Sequence, residues 1–182
     1  MSGSRRDNVV TTRLIPGLAH TVTYQVRPQD LVTTLFPDAP EFTRKPAVLA
    51  TGILVALCEW PAMDALRQVI DDDHDSLGTR VHLCHRAPVC AGTQLTITAQ
   101  CASVTGRSSR WDVSVSAGTQ SVATGWVQFA VVHTAAFVQQ HGLTPPAVTA
   151  VSGRRRFVDA TPALDDRRPA LASAIPAQTP GH

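Results

Sequence analysis

Three polar side chains stand out by type and position: Thr51, Glu59 and His85. Between Lys45 and Asp64 the single charged residue is Glu59, set among Ile53, Leu54, Val55, Leu57, Cys58, Trp60 and Met63. A carboxylate in such surroundings loses hydration unless it is paired, so its pKa moves up and its place there calls for a functional reason. A desolvated carboxylate can attack a thioester carbonyl or act as base toward water, and a histidine can carry the proton. Thr51 stands where a helix begins, and free backbone N–H groups with a partial positive charge suit a developing oxyanion. A plain N-cap fits Thr51 equally well, and a histidine such as His85 is more often a satisfied core or edge residue. The sequence has no G-x-S-x-G elbow and no Gly-rich phosphate loop, which leaves an α/β-hydrolase and a nucleotide-binding fold unsupported.

The elements that position these groups follow from hydrophobic periodicity. Residues 46–70 read as a helix apolar on all sides, hence buried. Gly52 lets another group approach its backbone. Pro61 removes the hydrogen bond to the Leu57 carbonyl, which predicts a kink or tightening just after Glu59. Ahead of the helix, 20–27 alternates Val22, Tyr24 and Val26 with polar residues as a half-buried strand does. Segment 31–46, with Phe36, Phe42 and three prolines, reads as a loop or short helix over an entrance. From Gly78 onward the period is two, and 79–87, 93–104, 107–117 and 120–133 read as consecutive antiparallel hairpins. A strand, a long buried helix and four more strands make an α+β domain whose antiparallel sheet wraps around the helix. The expected organisation is an irregular leader over 1–19, the domain over 20–140, and a proline- and arginine-rich tail over 141–182, flexible or loosely docked.

With 43% hydrophobic and 16% charged residues over 182 positions, the composition is that of one globular domain with a sizeable core. A net charge of +2 is too small to imply nucleic acid, and the arginine groups at 154–156 and 167–168 read as a solvated tail. No apolar run reaches membrane-spanning length and no secretory signal is visible, so the expectation is a cytoplasmic protein without membrane partners. Cys58, Cys84, Cys90 and Cys101 lack C-x-x-C spacing and read as reduced, small core residues. Of His82, Cys84 and His85, only the first two share a strand face, and two ligands do not make a metal site. The aspartates between 71 and 75 lack the alternation and distal glutamate of a calcium loop and read as a solvated turn.

The segments LFPDAPEF at 35–42, ATGILVALCEW at 50–60, SLGT at 76–79, the histidine at 85 and AVVHTAAF at 130–137 resemble the fluoroacetyl-CoA thioesterase family. These are enzymes built on a single hot-dog fold. The resemblance runs from Val22 to Gln140 and leaves out the tail. It implies a homodimer with active sites near the interface, hydrolysing acyl-CoA thioesters with no cofactor beyond the coenzyme A of the substrate. It assigns Glu59 as nucleophile or base, His85 as proton carrier and Thr51 as the histidine's hydrogen-bonded partner. Gly78 matches a glycine whose backbone N–H holds the thioester oxygen, and Phe42 an aromatic wall of the acyl pocket. The family's second, lid-forming phenylalanine falls at Lys45. A cation cannot supply the same apolar gate, so fluoroacetyl selectivity is not carried over. Lys45 points instead to an acyl group with a negative or polar end. Gly52 and Lys45 join Gly78 and Phe42 as expected substrate-binding positions. The reading is an acyl-CoA thioesterase for a short or unusual acyl group, carried by coenzyme A or by a carrier protein. One alternative is a hydratase- or lyase-type tailoring enzyme on the same fold, which would carry a D-x-x-x-x-H segment where Thr51 stands. The other is a non-catalytic acyl-CoA binding protein, which would not need Glu59.

Overall fold

Period-two alternation in the second half of the chain builds the scaffold. The computed structural model describes residues 14–144. The chain divides into two units, Met1–Pro145 and Pro146–His182, and every described residue belongs to the first. Most of the expected leader and nearly all of the expected tail, with both arginine groups, lie outside the described residues.

In chain order the elements are β1 (Ala19–Gln25), a 3-10 turn (Pro28–Asp30), α1 (Val32–Leu35), α2 (Pro40–Thr43), α3 (Thr51–Val69), β2 (His74–His85), β3 (Gln94–Thr105), β4 (Ser108–Ala117), β5 (Gln120–His133) and α4 (Thr134–His141). The five strands form one antiparallel sheet in the order β1-β3-β4-β5-β2. Leu95, Ile97, Ala99 and Cys101 of β3, Trp111, Val113 and Val115 of β4, and Val127, Phe129 and Val131 of β5 are buried on its inner face. Leu54, Leu57, Cys58, Pro61, Ala62, Ala65 and Leu66 of α3 pack against them. Burying each large apolar side chain contributes about 1.5–3 kcal/mol, which makes this contact the principal force holding the helix to the sheet. Among the described residues no helix is long and apolar enough to cross a membrane.

Three expectations change. The strands are not all consecutive hairpins: β2 pairs with β5 and β1 takes the free side of β3. The connection between β2 and β3 is not a tight turn but a segment anchored elsewhere, with Arg86 N–H bonded to the Val122 carbonyl and the Val89 carbonyl accepting Leu49 N–H. Secondly, α3 is not covered on every side, because one sheet reaches only one flank; Trp60 and Met63 are 39% and 38% exposed. The helix continues through Pro61, whose ring is buried, for about two further turns. Thirdly, only Cys58 and Cys101 are core residues. Cys84 and Cys90 are exposed, Cys84 beside Thr124 on the outer face of the sheet.

Candidate active site

The start of α3 is fixed by contacts remote in sequence. Asp30, 2% exposed, accepts the Arg27 backbone N–H and guanidinium at 2.8 and 3.0 Å. Its carbonyl accepts the Ala50 N–H at 3.0 Å, while Leu49 pairs with Leu31. The N-cap is therefore Ala50, and Thr51 is the first residue of the helix. Thr51 does not cap through its hydroxyl, contrary to the expectation; Thr51 Oγ1 instead lies 3.1 Å from His85 Nδ1 at the end of β2. The other ring nitrogen, His85 Nε2, is buried and without a hydrogen-bond partner among the described residues. An imidazole fixed through one nitrogen presents the other to whatever reacts.

Glu59 lies two turns further along α3, a rise of about 12 Å from Thr51. Its carboxylate is half-buried and makes no hydrogen bond or ion pair among the described residues. Burial pushes its pKa above the ordinary glutamate value. The charge of Glu59 and, first, burial itself push the neighbouring Cys58 thiol up to about 12, so Cys58 stays neutral and is no nucleophile. Glu59 faces β2 at Gly78. A Cβ built on Gly78 would stand 2.5 Å from Glu59 Oε1, and Gly78 has no positive φ, so what the position requires of glycine is space.

Phe42, half-buried on α2, meets exposed Phe36 edge-on with ring centroids 4.8 Å apart. Lys45 follows α2, exposed, and its ammonium makes no ion pair among the described residues. The Leu31–Leu49 bridge and the Val32 N–H to Val48 carbonyl bond fasten this segment beside the start of α3. A Cβ on Gly52 would meet nothing within 4 Å, so no group among the described residues uses the room it leaves. The structure thus brings Thr51 to His85 and Glu59 to Gly78, and no hydrogen bond joins the two pairs.

At the opposite end of β2, Asp71, Asp73 and His74 place donor atoms within 4.8 Å of one another. Asp73 is committed to His74 Nδ1 at 2.6 Å and His133 Nε2 at 3.4 Å, and its backbone carbonyl accepts the Thr134 N–H that opens α4. These contacts fasten the turn to α4.

The fluoroacetyl-CoA-specific thioesterase family matches residues 33–135, more than half of the chain. The chain belongs to that family. A fluoroacetyl-CoA thioesterase of Streptantibioticus cattleyicolor is 36% identical over 110 residues, which is 60% of this chain and 79% of that protein. The solved structure of the fluoroacetyl-CoA thioesterase FlK superposes with a TM-score of 0.68 at 34% identity, covering 72% of this chain and 98% of FlK. A phenylalanine-to-alanine variant of FlK, in complex with fluoroacetate and CoA, superposes at 0.66 with 35% identity over 68% of this chain and 99% of that one. A hot-dog-like protein from Thermanaerovibrio acidaminovorans, 19% identical, shares the fold at 0.63 over 72% of this chain and 93% of its own. The fold is therefore the hot dog, and this family member is a thioester hydrolase of the acyl-CoA class.

Two positions in the site region escaped the sequence reading. Gly125 on β5 sits so close to β2 that a Cβ there would overlap the His82 carbonyl oxygen; a lone glycine inside a strand pattern is the signal for such an approach. Thr79 lies at a register shift in β2 just after Gly78, and a glycine inside a strand pattern is equally the signal for a bulge.

Proposed function

We propose that Thr51, Glu59 and His85 form the hydrolytic site of a homodimeric thioesterase whose substrate is a short acyl group with a polar or negatively charged end. The observation that carries this reading is the Thr51–His85 hydrogen bond at the N-terminus of α3. Glu59, ionised, acts on the thioester carbonyl directly or through water; His85 carries the proton toward the departing thiol; Thr51 holds the imidazole. The products are the free acid and the free thiol. The Gly78 N–H, beside Glu59, takes up the oxyanion charge. Gly52, Phe42 and Lys45 line the approach, and the Lys45 ammonium, without an ion pair among the described residues, is the reason for choosing a polar acyl end.

A second copy is favoured by the exposed edge of the sheet and by the uncovered apolar flank of α3. β2 is an edge strand in which Gly78 to His82 are all exposed, Val81 at 45%. Such an edge invites pairing with another chain. Sedimentation equilibrium at micromolar concentration should return twice the chain mass, and a fully active monomer would overturn the dimer. Coenzyme A thioesters assign the reaction to the cytoplasm, with no cofactor beyond the substrate's own coenzyme A.

The deciding experiment is thiol release from fluoroacetyl-, acetyl-, malonyl- and an aromatic acyl-CoA by wild type, Glu59→Gln and Lys45→Phe. Turnover that collapses in Glu59→Gln supports the site. Preference for malonyl over acetyl that disappears in Lys45→Phe supports the polar acyl end, and an unchanged preference removes it. Binding of every thioester without turnover by wild type would leave a binding protein in place of an enzyme.

A further inference from the structure

β2 carries both Gly78 and His85, seven residues apart. In an unbroken strand, side chains alternate faces with a period of two, so an odd separation puts two residues on opposite sides of the sheet. Yet both face inward. Gly78 pairs with Phe129 and His85 with Ala123, and these partners, six residues apart on β5, are both fully buried on the inner face. The odd residue is taken up where the register shifts between Gly78 and Arg80, so that Gly78 opposes Phe129, Arg80 opposes Gln128, and Thr79 has no partner. Before the bulge the even positions lie on the inner face of the sheet; after it Val81, Leu83 and His85 do. Thr79 is exposed, and its hydroxyl donates to the Gln128 carbonyl on β5 at 3.1 Å, the one side-chain bond across the bulge among the described residues.

We infer that Thr79 is a positioning residue: the bulge it occupies places the glycine under Glu59 and the histidine beside Thr51 on one face, and its hydroxyl bond to Gln128 holds that bulge in register. Bulges near active sites act in this way, re-aiming the side chains that follow. Thr79 touches neither Glu59 nor His85 and takes no part in the reaction. The consequence for turnover rests on the site proposed above; the consequence for the seat of Glu59 does not.

Thr79→Val keeps shape and strand propensity and removes the hydroxyl, while Thr79→Ser returns it. In the full chain, with the best substrate of the acyl-CoA panel, Thr79→Val should lower kcat by about tenfold to a hundredfold and leave KM within about twofold of wild type. Thr79→Ser should recover kcat to within about threefold of wild type, since the hydroxyl is restored without the methyl. Carbon-13 NMR titration of the Glu59 carboxyl supplies a readout apart from activity: raised in wild type, it should move back toward the ordinary glutamate value in Thr79→Val as the seat loosens. Wild-type kcat and an unmoved titration in Thr79→Val would overturn the inference. So would equal losses in Val and Ser, or a lower melting temperature with kcat intact. Full turnover by Glu59→Gln would remove the proposed site alone, and the titration of Thr79→Val would still decide the bulge.

Discussion

Thr51 and His85 hold each other through a hydrogen bond of 3.1 Å, whereas Glu59 has no hydrogen-bond or ion-pair partner among the described residues and lies over the bare backbone of Gly78. One half of the site is made by a contact, the other by the absence of a side chain. The contact is solvent-exposed and contributes at most about 0.5 kcal/mol, the low end for a hydrogen bond. The carboxylate does the reverse, because burial disfavours its charged form without a compensating partner. On the proposed reading the fold gives up stability for function at Glu59, where an apolar or neutral residue would be easier to accommodate.

The largest effect expected is that of Glu59→Gln. Loss of a nucleophile or base should lower kcat by about a hundredfold to ten-thousandfold, while the melting temperature at neutral pH rises. The sign follows from linkage: a carboxyl whose pKa is raised in the folded state loses stability as pH rises from the ordinary glutamate value, about 4.3, toward its own. Thermal melts of wild type across that window should show a loss that Glu59→Gln lacks, and the acid limb of kcat/KM should lie above the ordinary glutamate value. A Glu59→Gln protein less stable than wild type at neutral pH would break the contrast, since Glu59 would then have a partner in the native assembly.

Next in size is Gly78→Ala. The new methyl would meet the far end of a flexible side chain, so the fold should absorb it with a melting temperature within about 2 °C of wild type, while displacing the carboxylate costs about a hundredfold in kcat. Gly125→Ala is the control. There the methyl would meet the His82 backbone, and the expected result is a loss of roughly 5–10 °C. Equal melting temperatures for the two variants would show that Gly78 is also a structural glycine.

Much of this was legible in the sequence, for reasons that differ by element. The strands announced themselves because Leu95, Ile97, Val113 and Val115 sit at alternating positions, and Glu59 because no other charge stands near it. What failed was non-local. Composition made α3 look buried all round, but among the described residues a single sheet covers it, from one flank. Thr51 read as a cap because the true helix start is set by bonds from Ala50 to Asp30 and from Leu49 to Val89. The pairing of β2 with β5, the bulge at Thr79 and the outward face of Cys84 all depend on a partner strand some forty to fifty residues away. α4 escaped because its cap is His133, whose Nδ1 accepts the Ala136 N–H at 3.3 Å, and histidine is not among the usual capping residues.

The smallest effect, and the sharpest test of the polar half, belongs to Thr51. As first residue of α3 it has no capping bond to lose, and it is exposed, so Thr51→Val should leave stability within about 0.5 kcal/mol of wild type. Its hydroxyl has one partner among the described residues, His85 Nδ1. Without it the imidazole is free to turn, and kcat should fall by about tenfold; Thr51→Ser should bring it back. An N-cap would give the opposite pair of results, a stability loss of about 1 kcal/mol in Thr51→Val with turnover retained. Urea melts and steady-state kinetics on the same two variants therefore decide between the roles that the sequence left open for this threonine.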